Sequence, residues 1–214
     1  MTSTEMLARC RTILDESSAS FWTDAEIYSA LADGQNQVID KLLTSYRIRR
    51  KTNPSAELPY ELQALGVRLI SSGAASFVTI PTGYLELVYA NWDHDNSGTK
   101  EPCEIVTPVT KNQRQDNSYT SATSTEPVVF MEVAASGGAV VINFLPVYST
   151  TGVYDLQYLD KPTDIAAGVN AELPVNTHSA IVHYAVSRMF DKDQRPQDSQ
   201  MHYGLFVKEI EGLL

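Results

Sequence analysis

The chain has 214 residues, 43% of them hydrophobic and 20% charged, which is the composition of a globular protein with one sizeable core or two small ones and excludes disorder as the dominant state. With 16 basic and 26 acidic side chains the formal charge is -10, which excludes a surface that grips nucleic acid or anionic lipid by bulk attraction. No apolar run approaches the roughly 20 residues that span a bilayer, and no secretory signal is readable, so the expectation is a soluble product made inside the cell.

In chain order, the first helix is predicted from Ser3 or Thr4 to about Asp15, with Met6, Cys10, Ile13 and Leu14 on one face. A polar link leads to Phe21-Trp22-Thr23-Asp24-Ala25-Glu26. There Thr23 can cap free backbone amides and Glu26, three residues on, can reach back to the amide of the cap. Ile27, Leu31, Val38 and Leu42 continue as an apolar stripe with Gly34 as a weak point. The helix closes on Arg47, Arg49, Arg50 and Lys51, cations that suit the negative end of its dipole. A third helix is expected from about Pro59, presenting Leu58, Leu62, Leu65 and Leu69, until Ser71-Ser72-Gly73 ends it.

The texture then changes. Residues 77–160 hold 3 basic and 10 acidic side chains and are rich in Val, Thr, Tyr and Phe. Strands are predicted near 76–80, 84–92, 104–107, 128–133, 139–145 and 153–159, with Ser136-Gly137-Gly138 turning a hairpin and 111–126 a long polar loop. After Leu173-Pro174, Asn176 or Thr177 can cap a helix burying Ile181, Val182, Ala185, Val186, Met189 and Phe190. A last helix is expected from about Ser199 to Gly212. The fold class is therefore α+β: a helical bundle of about five helices with an inserted antiparallel β domain. Its parts are 1–76 and 161–214, which are helical, and 77–160, the β domain.

Few constellations carry chemistry. Asp93, Asp95, Ser97, Gly98 and Glu104 satisfy the spacing of a calcium loop, oxygens at alternate positions wrapping a hard cation and a late Glu closing the shell. The loop follows a strand, however, Lys100 stands where an apolar residue is usual and Pro102 interrupts the helix that should follow. A turn using the same residues for local hydrogen bonds is the simpler reading. His178 and His183, five apart, lie about 140° round a helix and so do not form a metal pair. Cys10 and Cys103, far apart in a predicted helix and strand, suggest neither a disulfide framework nor a thiolate site. The nucleophile-elbow, zinc-protease and phosphate-loop signatures are absent, so no catalytic residue, cofactor or favoured metal is assigned and an enzyme is not expected. The basic group at Arg47 to Lys51 reads as a solvated helix end or a protein contact before a DNA contact. Trp22, Trp92, Tyr84 and Tyr89 read as core or interface anchors.

Taken together, the short first helix, Phe-Trp-Thr-Asp-Ala-Glu-Ile opening a long one, Thr79-Ile80-Pro81-Thr82-Gly83-Tyr84-Leu85-Glu86, Leu145-Pro146, Val153-Tyr154-Asp155-Leu156-Gln157-Tyr158, and Glu172-Leu173-Pro174 before Ile181-Val182-His183-Tyr184-Ala185 resemble the tailed-bacteriophage head-to-tail adaptor (connector) proteins. The resemblance implies a ring, usually of twelve copies, docked below the portal in the neck of the virion, offering a platform to the tail, nozzle or tail-terminator protein. Double-stranded DNA would pass through without specific binding, and no membrane is involved. It makes Phe21, Trp22, Ile27, Leu31, Trp92 and Tyr119 candidates for the ring interface, and Arg47, Arg49, Arg50 and Lys51 candidates to face portal or DNA. The last predicted helix, running to Gly212, leaves little room for an extended portal-binding tail. The alternative of another class is a calcium-dependent β-domain binding module organised by Asp93, Asp95, Ser97 and Glu104.

Overall fold

Thr2 and Thr23 open the first two helices in the same way. In α1 (Ser3–Ile13) the Thr2 hydroxyl accepts the Glu5 amide at 3.2 Å while the Glu5 carboxylate accepts the Thr2 amide at 2.7 Å. In α2 (Asp24–Thr52) Thr23 and Glu26 exchange the same bonds at 3.2 and 3.1 Å. Two of the four orphan amides at each helix start are thereby satisfied reciprocally. A computed structural model of the chain describes residues 1–16, 21–53, 55–73, 77–116, 121–133, 140–147 and 152–214. The chain divides into two compact units, one of Met1–Leu65 with Pro162–Leu214, the other of Gly66–Lys161.

The first unit is helical. α2 buries Ile27, Leu31, Val38 and Leu42 completely, and α1 buries Met6 and Cys10. α5 (His178–Lys192), entered through a single 3-10 turn at Val175–Thr177, packs against α1, α2 and α6 (Pro196–Glu211) with Ala180, Ile181, Val182, Ala185 and Val186 fully enclosed. At Gly34 the backbone of α5 lies close against α2: a Cβ there would sit 2.7 Å from the carbonyl oxygen of Ile181. The irregular stretch before α5 is held by Gln35, 1% exposed, whose amide donates to the Thr163 carbonyl at 3.1 Å and accepts the Glu172 amide at 3.0 Å.

Three local expectations in this part are corrected. The third helix is one turn, α3 (Tyr60–Gln63), and Gly66–Gly73 is a strand, β1. The leucine spacing that suggested a helix also alternates from Val67 onward, and antiparallel pairing with a later strand decides the matter. Thr177 stands at the cap position of α5 but makes no side-chain capping bond, and Asn176 lies in the preceding turn. Asn176 donates to Glu61 at 2.8 Å and the Thr177 hydroxyl to the Pro174 carbonyl at 2.8 Å. α6 begins three residues before its expected start because Pro196 serves as a first-turn residue.

The second unit contains two four-stranded sheets. After β1 come β2 (Phe77–Thr79), β3 (Tyr84–Asp93), β4 (Glu101–Pro102), β5 (Glu104–Ile105), β6 (Val128–Val133), β7 (Val140–Leu145) and β8 (Gly152–Asp160). They are ordered β1-β8-β3-β4 and β2-β7-β6-β5. All pairings are antiparallel except β5 with β6, which is parallel and departs from the expected antiparallel domain. Leu87, Ala90, Trp92, Tyr154, Leu156 and Tyr158 of one sheet meet Val78, Val129, Ile142 and Phe144 of the other in a common core. The expected polar loop starts as a helix, α4 (Pro108–Asp116): Thr107 accepts the Thr110 amide, and Lys111 reaches Glu132 at 2.8 Å with its ammonium 4.5 Å from the Phe130 ring centre. A short helix of almost wholly polar residues leaves no apolar periodicity to read. The expected hairpin turn at Ser136-Gly137-Gly138 lies outside the described residues.

Candidate functional site

Phe21 and Trp22, just before α2, are tied to Glu16 and Arg11. Glu16 accepts the amides of Phe21 and Trp22, and Arg11 binds Glu16 at 3.2 Å, the Trp22 carbonyl at 3.0 Å and Asp24 at 2.5 Å. Trp22 is buried, with the Lys192 ammonium 5.0 Å from its ring centre, and Phe21 stands edge-on to it at 5.0 Å. Phe21 is 66% exposed, an aromatic side chain held out on a fixed backbone. Grooves flank the pair. One of about 480 Å³ is lined by Trp22, Glu26, Asp33, Arg188 and Lys192; another, of about 320 Å³, by Leu14, Glu16, Phe21, Phe190 and Arg195. Lys192, with Thr23, holds the Glu26 carboxyl down at about 2.

The other expected interface residues fall elsewhere. Ile27 and Leu31 are fully enclosed in the helical core and Trp92 is 2% exposed in the β core, stacked on Tyr154 at 6.2 Å. Their surface is buried within the single chain. Tyr119 lies outside the described residues. Arg47, Arg49 and Lys51 project from the last turns of α2 beside Ile48, which is 60% exposed, and Arg50 lays its guanidinium 5.8 Å from the Tyr46 ring centre.

In the possible calcium loop Asp93 and Asp95 meet on a backbone amide, while Glu104 is turned to another partner. Asp93 accepts the amides of Ser97 at 3.0 Å and Gly98 at 2.8 Å, Asp95 accepts the Ser97 amide at 3.1 Å, and Glu104 pairs with Arg114. Asn96 and Gly98 take the left-handed backbone that such a turn needs. Among the described residues no three His, Cys, Asp or Glu side chains are placed to hold a metal. Both cysteines are free, and burial pushes each thiol up to about 12.

Two constellations were not legible in the sequence. Asp155, 2% exposed on β8, receives two bonds from Arg68 at 2.8 and 2.6 Å and one from Lys100 at 2.7 Å. The Arg68 bonds, then Lys100, hold its carboxyl well below the usual carboxylate range against the opposing effect of burial. His183 meets His202 across α5 and α6 at 3.0 Å, while His178 instead bonds the Leu173 carbonyl and the terminal amine of Met1, each at 2.9 Å. The Asp155 contacts and the His183–His202 contact join residues well separated in sequence, and only the strand register or the helix packing announces them.

Among the exposed features are Phe21, edge-on to Trp22, and the basic end of α2. Residues 1–213 match the family model described as SU10 adaptor protein. The chain belongs to the SU10 adaptor protein family. This is a phage head-to-tail adaptor family of structural proteins, so the chain is a bacteriophage virion component whose family implies self-association and contact with other neck components. No curated protein matches the sequence significantly. Among the described residues, no helix of the adaptor is long and apolar enough to cross a membrane.

Proposed function

We propose that this adaptor assembles as a ring of twelve copies between portal and tail, forming the tail-docking platform and part of the channel through which DNA leaves the head. The observation that carries this reading is the family match from residue 1 to residue 213, which takes in both units of the chain. Phe21 is the side chain best suited to a subunit contact. It is large and exposed, and its backbone amide is already tied to Glu16, so burying it against a neighbour orders little further backbone. Arg47, Arg49, Arg50 and Lys51 form the basic end of α2 and are assigned to the portal or to passing DNA. A net charge of -10 per copy, repeated round a ring, makes a wall that repels the phosphate backbone and lets DNA slide.

The test is mass analysis of the purified chain alone and after mixing with the portal ring of the same phage. Loading of close to twelve copies per portal supports the proposal, and a chain that ignores the portal overturns it. A monomer in the absence of portal is compatible with assembly on a template.

A further inference from the structure

His183 on α5 and His202 on α6 face each other Nδ1 to Nδ1 at 3.0 Å, their rings stacked with centres 5.3 Å apart. His202 is buried at 5% exposure and His183 is half-buried beside it, and Phe190 stands 5.5 Å from the His202 ring. The charged groups around the pair come from two helices. On α6, Glu209 lies 3.8 Å from His183 Nε2 and accepts the Ser179 hydroxyl at 2.8 Å, and Asp198 acts on His202; on α1, Arg9 donates to Ser179 at 3.1 Å and acts on His183.

A neutral imidazole carries one N–H, so this contact is a hydrogen bond only when one ring donates from Nδ1 and the other offers its Nδ1 lone pair. With its own N–H at Nε2, toward Glu209, His183 is the acceptor and His202 the donor. One added proton is tolerated, because the imidazolium of His202 still donates through Nδ1. A second is not, because two N–H groups would then point at each other across 3.0 Å and two cations would share one enclosed contact.

We infer that the His183–His202 contact is a proton-operated latch that holds α6 against α5, closed while the pair carries at most one added proton and released when both rings are charged. Burial, the largest influence on each ring, disfavours the charged form. Arg9 reinforces this at His183 and the neighbouring ring does so at His202, while Glu209 and Asp198 oppose it. Folded values below the ordinary histidine value of about 6.5 mean that the released helix binds protons that the closed one refuses. The latch therefore contributes fully above that value and weakens as the pH falls below it. It is a property of the single chain and does not depend on ring assembly.

Amide hydrogen exchange of the full chain between about pH 7.5 and about pH 5, corrected for intrinsic rates, tests this. Exchange in α6 relative to α2 is expected to rise several-fold toward acid in the wild type and to stay flat in His183→Gln and His202→Gln, whose side chains hydrogen-bond without titrating. The same rise in both variants, or none in the wild type, overturns the latch. Should both variants fail to fold, histidine NMR titration of the wild type decides: a midpoint below that of free histidine for at least one ring of the pair supports the latch, and two midpoints at or above it overturn it.

Discussion

Two glycines in long helices have opposite meanings. At Gly34 a methyl group would lie 2.7 Å from a backbone carbonyl of α5, whereas at Gly204, on the exposed side of α6, it would meet nothing within 4 Å. Forcing the helices apart costs about 1–3 kcal/mol and the gain in helix propensity returns at most about 1. Gly34→Ala is thus expected to lower the urea midpoint, and Gly204→Ala to raise stability by about 0.5–1 kcal/mol. Opposite shifts in far-UV circular dichroism melts check the pair. Asp155 sets a similar test in the β unit. Its carboxyl is depressed by Arg68 and Lys100, so it stabilises the fold above the ordinary carboxylate value of about 3.9 and loses that contribution only as the pH falls below it. Asp155→Asn is expected to cost about 2 kcal/mol at neutral pH, a difference that shrinks in strong acid. An unchanged urea midpoint at neutral pH would count against this account.

Among the elements, α2 shows how much one local motif fixes. The Thr23 and Glu26 capping box starts a 29-residue helix, about 43 Å long at the usual rise per residue. Thr23→Ala is expected to cost about 1 kcal/mol of stability, read from the denaturation midpoint. Glu26 adds a pH signature: held at about 2 by Lys192 and Thr23, its contribution is present above the unfolded value of about 4.3 and fades as the pH falls toward 2. The strands are less local. Between Gly66 and Ser71 β1 carries no helix-breaking signal, and its state is set by eight residues of register with β8, nearly ninety positions away.

For the whole molecule, Phe21 separates folding from assembly. Being 66% exposed, its replacement by Ala should leave the melting temperature nearly unchanged. If Phe21 is a subunit contact, the same variant should load poorly onto the portal ring. Normal loading of a well-folded Phe21→Ala adaptor would remove this residue from the proposed interface. Trp22, buried beneath it, is the contrasting case: its truncation should cost about 3–5 kcal/mol of stability, so any loss of assembly there follows from misfolding.

By itself the sequence determined the α+β class, the place of α1, the capped start of α2, the core stripe of α5 and most strands, because each rests on spacing within a few residues. It also carried the resemblance to phage adaptors, confirmed by a family match over residues 1–213. Only the tertiary structure decided that Leu69 lies in a strand, that Ile27, Leu31 and Trp92 are spent in the cores while Phe21 is not, and that Asp155 finds Arg68 and His183 finds His202. The reason is physical: periodicity states which face of an element is apolar, but what that face meets is settled by sheet register and helix packing between residues far apart in the chain.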